Sequence, residues 1–128
     1  MADLPSVNSE ALAEIKAIAG SADDRPVLMI NNNLYVPEAN FPNGQLYQDY
    51  MAVLHILVEQ VGATIKWRTR VDNQVVGDQP LHEILGIWYP SHQSFMKLMT
   101  APASDENMRL RALTVAYANV YRCDPIDT

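Results

Sequence analysis

The 128-residue sequence predicts an α+β domain in which helices cover one face of a four-stranded antiparallel sheet. Three observations support this prediction. Apolar segments of strand length alternate with helical patterns in the order β-α-β-β-α-β, which is the ferredoxin-like order. The first and third strand segments are apolar on both faces, as expected of strands that are covered on both sides. One further helical pattern precedes the first strand.

The first half of the chain alternates helix, strand and helix. Residues 6–19 carry an apolar helical stripe, and Ser6 or Ser9 can cap its start. Residues 27–36 form an apolar segment between two prolines, which favours a strand. Residues 45–61 are the clearest helix, because their apolar side chains fall within one broad arc.

The second half supplies three strands and one core helix. In chain order, the predicted second strand, third strand, second core helix, loop and fourth strand are residues 63–67, 83–89, 91–100, 102–107 and 112–122. The end of the second strand is open, and the Ala-rich stretch 109–118 could extend a helix instead of starting a strand. The predicted organisation is an N-terminal helix with its linker, a ferredoxin-like barrel domain and a tail, at residues 1–25, 26–124 and 125–128.

The sheet needs cover on its second face. In the first strand, Leu28, Ile30 and Leu34 alternate with Val27 and Met29, so apolar side chains point both ways. Two helices cover only one face, and a partner chain, the N-terminal helix or a ligand must cover the other. We favour two sheets packed face to face as a homodimer, a dimeric α/β barrel, over a monomer shielded by its own N-terminal helix.

Charge and composition exclude several classes of function. The net charge is −6 without a basic cluster, which argues against a nucleic-acid partner. Cys123 is the single cysteine, so an internal disulfide or a thiolate metal site within one chain is excluded. The start of the chain does not resemble a signal peptide, and no apolar run has the ~18–20 residues of a membrane span. These features predict a cytoplasmic protein with no membrane partner, no metal and no cofactor.

Five short motifs are Pro26-Val27-Leu28-Met29-Ile30-Asn31, Tyr47 with Tyr50, Tyr89-Pro90-Ser91, Phe95-Met96 and Arg111-Ala112-Leu113. In combination they resemble a family of small dimeric α/β-barrel proteins of unknown function. That family belongs to the ferredoxin-like superfamily, which also holds cofactor-free and heme-degrading monooxygenases. The similarity covers about residues 26–122, and it implies the fold and a homodimer without implying a reaction. Asn32, Asn33 and the Lys66-Trp67-Arg68 stretch depart from the family pattern, which suggests a pocket of altered polarity.

Two residues are predicted to be catalytic, His92 and Asn31. If Ser91 caps the second core helix, His92 lies in its first turn, where the helix dipole disfavours a positive imidazole. A neutral histidine could then accept a proton. The alternative is a partly exposed first-turn residue without a task.

Four residues are predicted to bind a substrate: Asn33, Tyr50, Trp88 and Arg111. Asn31 and Asn33 share one face of the first strand, so their amides can point into an apolar barrel. Arg111 offers a planar donor fork to an anionic ligand. The alternatives are a solvent-facing strand end or a dimer seam for the asparagines, core packing for Trp88 and an ion pair for Arg111.

Three functions follow from these features. The first is a small-molecule-binding homodimer, possibly a cofactor-free enzyme that catalyses oxygenation or a proton-transfer isomerisation or cyclisation. The second is a non-catalytic homodimeric interaction module. The third, heme degradation, is disfavoured because that branch needs an axial histidine after Trp88, and residues 95–101 contain none.

Overall fold

The computed structural model describes residues 7–126, and within them one antiparallel sheet of four strands lies beside four α-helices. The strand order is β2-β3-β1-β4, so the predicted ferredoxin-like α+β fold is confirmed. None of the described helices is long and apolar enough to cross a membrane. The elements are α1 (Ser9–Ala19), β1 (Val27–Tyr35), α2 (Gln45–Gln60), β2 (Thr64–Arg70), β3 (Glu83–Tyr89), α3 (His92–Met96), α4 (Ser104–Thr114) and β4 (Val115–Cys123).

Helix α1 lies on the side of the sheet that the other helices cover. Its main contacts are with α3, and Ile15 joins the core. A carboxylate oxygen of Glu14 lies 3.0 Å from the Arg122 guanidinium of β4. The helix therefore does not cover the second face of the sheet. The alternative of a monomer shielded by its own N-terminal helix is wrong. The N-cap is Asn8, whose side chain accepts the Ala11 N–H, instead of Ser9; Ser6 lies outside the described residues.

The alternation predicted for the central strands is confirmed. Met29 pairs with Ile87, and both side chains are buried under the helices. Leu28 pairs with Trp88 on the opposite face, where both are only half-buried. The helix side of the sheet therefore holds the core, and the other side is apolar and open.

The connection before β4 differs from the prediction. Residues 102–107 were expected to be a loop and 112–122 a strand, but α4 runs to Thr114 and β4 begins only at Val115. Asp105 and Glu106 in the first turn of α4 complement the helix dipole, so the polar stretch read as a loop stabilises a helix start. The alternative of a helix in the Ala-rich stretch is the correct one up to Thr114.

The uncovered side of the sheet, which we call the open face, carries the second set of apolar side chains. Trp67, on β2, lies across Gly86 of β3, and its ring atoms are 2.4–2.8 Å from where a Cβ of residue 86 would be. Glycine at this position therefore lets the indole lie flat on the sheet. The apolar members of the open face are Leu28, Ile30, Leu34, Trp67, Ile84, Trp88, Tyr117 and Tyr121.

We expect Gly86→Ala to displace the Trp67 ring. Because the indole is 44% exposed in the single subunit, it can swing away from the sheet in a monomer such as the Ile30→Arg variant, and the loss in free energy of unfolding there should be about 1 kcal/mol, the low end for overpacking. Fluorescence in a Trp88→Phe background reports Trp67 alone and should shift to the red. Gly20→Ala is the control, since its nearest atom would be at 3.6 Å. An unchanged Trp67 emission in Gly86→Ala would contradict this packing.

Candidate functional site

A buried carboxylate lies at the start of β3. The Glu83 side chain faces the helices and is 3% exposed. Its Oε1 accepts hydrogen bonds from the Tyr35 hydroxyl at 2.7 Å and the Tyr47 hydroxyl at 2.9 Å. Its Oε2 lies 3.4 Å from Nε of Arg68. We call these four residues the carboxylate cluster.

The cluster compensates the cost of burying a charge. A carboxylate removed from water must be paired or hydrogen-bonded, and here both oxygens have partners. The amide of Asn33 donates to the Tyr35 hydroxyl at 3.2 Å, which leaves the tyrosine proton for Glu83. Burial, and then the negative charge of Glu83, raise the pKa of Tyr35 far above its usual value. Burial and the hydrogen bond to Glu83 raise the pKa of Tyr47 in the same way, so both phenols remain donors.

Aromatic contacts hold the two phenol rings in place. The Phe41 ring stacks on Tyr35 at 5.3 Å between centroids and meets Tyr47 edge-on at 4.8 Å. On another side of Tyr35, the His82 ring lies parallel at 5.9 Å. Nδ1 of His82 also accepts the backbone N–H of Tyr35 at 2.9 Å. The hydroxyls are thus positioned by packing as well as by their hydrogen bonds.

An open pocket of about 150 Å³ reaches Glu83 from the surface. The two arginines of this pocket, Arg68 and Arg70, come from the same face of β2. The guanidinium carbon of Arg70 lies 5.8 Å from the centre of the Phe41 ring, a cation–π distance. The pocket therefore combines a buried negative charge with positive charge at its mouth. Its walls are Phe41, Pro42, Tyr47, Arg68, Thr69, Arg70 and Glu83.

Two larger hollows lie elsewhere on the surface. One, of about 320 Å³, is formed by the loop of residues 71–82 and Ile84. The other, of about 280 Å³, lies between α2 and β2 beside His55 and Glu59. Neither contains a buried charged side chain. Among residues 7–126, no three His, Cys, Asp or Glu side chains are grouped to hold a metal ion.

Some of the residues predicted to form a site lie together. Asn33 donates a hydrogen bond to Tyr35 of the carboxylate cluster, and the ring of Tyr50 lies 6.4 Å from that of Tyr35. Burial raises the pKa of Tyr50, while the nearby Arg111 guanidinium acts in the opposite direction. Asn31 is half-buried and donates to the Met29 carbonyl at 3.2 Å. Four of the predicted residues therefore lie on the helix side of the sheet: Asn31, Asn33, Tyr50 and Arg111.

Trp88 does not share this region. It lies on the open face, where the Lys66 ammonium is 5.2 Å from the centre of its ring. The sheet separates this indole from the carboxylate cluster. A site that uses both Trp88 and Tyr50 within one subunit would require both faces of the same sheet.

His92 lies at another end of the fold and is fully buried. Ser91 caps α3 as predicted, but the expectation of a partly exposed His92 is wrong. Nδ1 of His92 is 2.9 Å from the Arg25 carbonyl, which can only accept, so Nδ1 carries a proton. Nε2 is buried without a hydrogen-bond partner among the described residues. The catalytic role of His92 stays a prediction, since no described pocket opens beside it.

The first backbone N–H groups of α3 donate hydrogen bonds to the linker that follows α1. The backbone N–H of His92 donates to Oδ1 of Asp24 at 2.6 Å, and that of Gln93 donates to Oδ2 at 3.3 Å. Burial alone would raise the pKa of Asp24, but these backbone donors and that of Arg25 outweigh it and hold the pKa below its usual value. Asp24 thereby joins the linker to α3.

Sequence reasoning missed the centre of the site. Glu83 was taken as the start of an apolar strand, and its charge was not used. The signal was present, because alternation places Glu83 on the same face as Leu85 and Ile87, the buried face of β3. A carboxylate in a buried register requires partners, and Tyr47, already noted in the first core helix, is one of them.

The buried tyrosines should resist alkaline titration. Their raised pKa values mean that the protonated phenols stabilise the fold below the unfolded value near 10, and this stability is lost as the pH rises above it. Phenolate absorbance from these residues should therefore appear together with loss of circular dichroism, and Tyr35→Phe should reduce that step by one phenol. Titration of all six tyrosines in a folded chain would contradict this burial. The residues concerned are Tyr35, Tyr47, Tyr50 and Tyr89.

Comparison with solved structures gives proteins of similar fold. No known protein family and no curated protein matches the sequence. A protein of unknown function from Rhodopseudomonas palustris is 21% identical with a TM-score of 0.76, over 96% of this chain and 97% of that one. A DABB family protein with a ferredoxin-like fold from Mesorhizobium loti is 10% identical with a TM-score of 0.52, over 80% of this chain and 99% of that one. The chain therefore shares the ferredoxin-like fold of these small proteins, which confirms at the level of the fold the resemblance found in its sequence.

Proposed function

We propose that this protein is a homodimer in which each subunit binds a small organic molecule above the carboxylate cluster. The observation that carries the proposal is the buried carboxylate of Glu83 at the bottom of an open pocket. Burying a charge costs several kcal/mol, so a site that buries one and also opens to the surface is a candidate for ligand recognition.

The two oxygens of Glu83 differ in what they offer to a ligand. Oε1 already accepts two phenol hydrogen bonds. Oε2 has one long contact, with Arg68, and retains capacity for a hydrogen-bond donor. Pockets for drug-sized ligands start at about 300 Å³, so 150 Å³ suits a much smaller molecule than a heme.

Proton transfer suits this site better than oxygenation does. A carboxylate can remove an acidic proton from a bound carbonyl compound, and the electron pair then moves to the ligand's carbonyl oxygen. The guanidinium of Arg70 at the pocket mouth can stabilise the resulting negative oxygen. Tyr35 and Tyr47 hold the carboxylate in place, because their raised pKa values keep their protons on the phenol oxygens.

Glu83→Gln tests the ligand site. The substitution keeps the shape but removes the charge, so the dissociation constant of any small molecule that copurifies should rise about tenfold or more, the usual worth of a charge-assisted hydrogen bond. Native mass spectrometry after purification identifies the copurified molecule, and calorimetry gives its affinity. Asp49→Asn, an exposed carboxylate on α2, is the matched control.

Equal affinity in Glu83→Gln and the unmodified protein would contradict a ligand site at Glu83. If the variant also unfolded at a higher temperature, the cluster would be a structural element that costs stability. That pair of results would favour the non-catalytic interaction module, in which the open face alone serves the function.

The homodimer is proposed from the open face. Four strands spaced about 4.8 Å apart and about seven residues long present a projected area of roughly 400 Å². The largest apolar patch of a soluble protein is of this order and is often functional. Trp67 is 44% exposed and Tyr121 is 58% exposed, so large aromatic surface faces solvent in the single subunit. Helix α1 lies on the other side of the sheet and leaves a second subunit as the cover.

The two asparagines of the open face donate hydrogen bonds within the subunit. The Asn32 amide donates to Oδ1 of Asn119 at 2.7 Å. The Asn119 amide in turn donates to the Tyr117 hydroxyl at 3.1 Å. A second sheet that covers these side chains would therefore find one amide N–H of each asparagine already paired.

Ile30→Arg should convert the dimer to a folded monomer. Ile30 lies on the open face of the central strand β1, opposite Gly86, and a charge there would be buried without a partner. Sedimentation or light scattering gives the mass of the particle. Met108→Arg on α4 replaces an equally apolar but 62% exposed residue on the helix side and should leave the dimer intact. A monomeric unmodified protein at micromolar concentration would overturn this part of the proposal.

A further inference from the structure

We infer that the ligand of the carboxylate-cluster pocket is a small planar organic acid, a monoanion that also carries a hydroxyl group. This inference rests on the proposed ligand site at Glu83 and adds the chemical class of its ligand. The argument uses the charges, the walls and the volume of the pocket.

The arginines supply a binding place for an anion. In the described part of the chain, Arg68 makes one ion pair through Nε, and Arg70 makes no side-chain hydrogen bond or ion pair. Both guanidinium groups therefore retain donors that point to solvent or to a ligand. The donor fork of an arginine matches the two oxygens of a carboxylate.

The charge balance favours a single negative charge. Arg68 and Arg70 contribute two positive charges to the pocket, and Glu83 contributes one negative charge. A monoanion neutralises the remaining positive charge, whereas a dianion such as a phosphate ester leaves an excess negative charge beside Glu83. A neutral ligand would not neutralise the remaining positive charge, and the arginine N–H donors would stay hydrogen-bonded to water.

The walls and the volume favour a flat ligand. Phe41, Pro42 and Tyr47 offer ring faces and edges, which pack against a planar group. A volume of 150 Å³ is about half the lower limit for a drug-sized ligand, which suits a ligand of roughly ten non-hydrogen atoms. If the carboxylate of such a ligand lies at Arg70, its hydroxyl group can reach Oε2 of Glu83 inside.

The decisive experiment compares 4-hydroxybenzoate with its neutral amide, 4-hydroxybenzamide, as probes of the full-length protein in calorimetry. The acid should bind at least tenfold more tightly, and this advantage should decrease with added salt, because part of the contact is solvent-exposed. Arg70→Gln should remove most of the advantage by weakening the acid about tenfold while leaving the amide unchanged. Arg109→Gln removes an equal charge from an exposed ion pair on α4 and should change neither affinity.

Two results would overturn the inference. Equal binding of acid and amide, both weakened by Glu83→Gln, would disprove the anionic class while retaining the ligand site. Binding of neither probe, or binding that is insensitive to both Arg70→Gln and Glu83→Gln, would remove the acid from this pocket. In the second case, a copurified small molecule whose affinity still falls in Glu83→Gln would show that the ligand site exists and that the inferred acid is not its ligand.

Discussion

The pairing of the Glu83 carboxylate is the interaction on which the arrangement of the elements around it depends. An unpaired carboxylate beneath the helices would cost several kcal/mol, a large part of the stability of a domain of this size. Its partners come from three different elements, Tyr35 from β1, Tyr47 from α2 and Arg68 from β2. The carboxylate therefore fixes one end of the sheet, the start of α2 and the edge strand relative to one another.

The sheet was predictable because its signal is local. Alternation in β1 and β3 follows directly from the two-residue period of a strand, and the burial of Met29 and Leu85 follows from it. Helix α4 was not predictable in the same way. Its start is polar, and Pro102 precedes it, so local pattern favoured a loop, while the burial of Leu110 and Thr114 depends on packing against α2.

The candidate site was harder to predict than the fold, because chemistry depends on which side chains meet in space. His92, Asn33 and Trp88 are each plausible from residue type, yet they lie in three separate environments: beside the linker, next to the carboxylate cluster and on the open face. Glu83 gave a signal only through its register within an apolar strand. A charged residue on the inward side of a strand is therefore better evidence of a site than a polar residue at the end of a helix.

The linker contacts of α3 bear on where the chain can be shortened. Sequence composition suggests a cut before Pro26, since the polar linker ends there. That cut would remove the Asp24 carboxylate and the Arg25 carbonyl, which between them accept both hydrogen bonds of His92. The backbone N–H and the Nδ1–H of His92 would then lose the acceptors that the linker supplies. A truncated protein that begins at Asp23 keeps both acceptors and is the better starting point for work on the ferredoxin-like fold without α1.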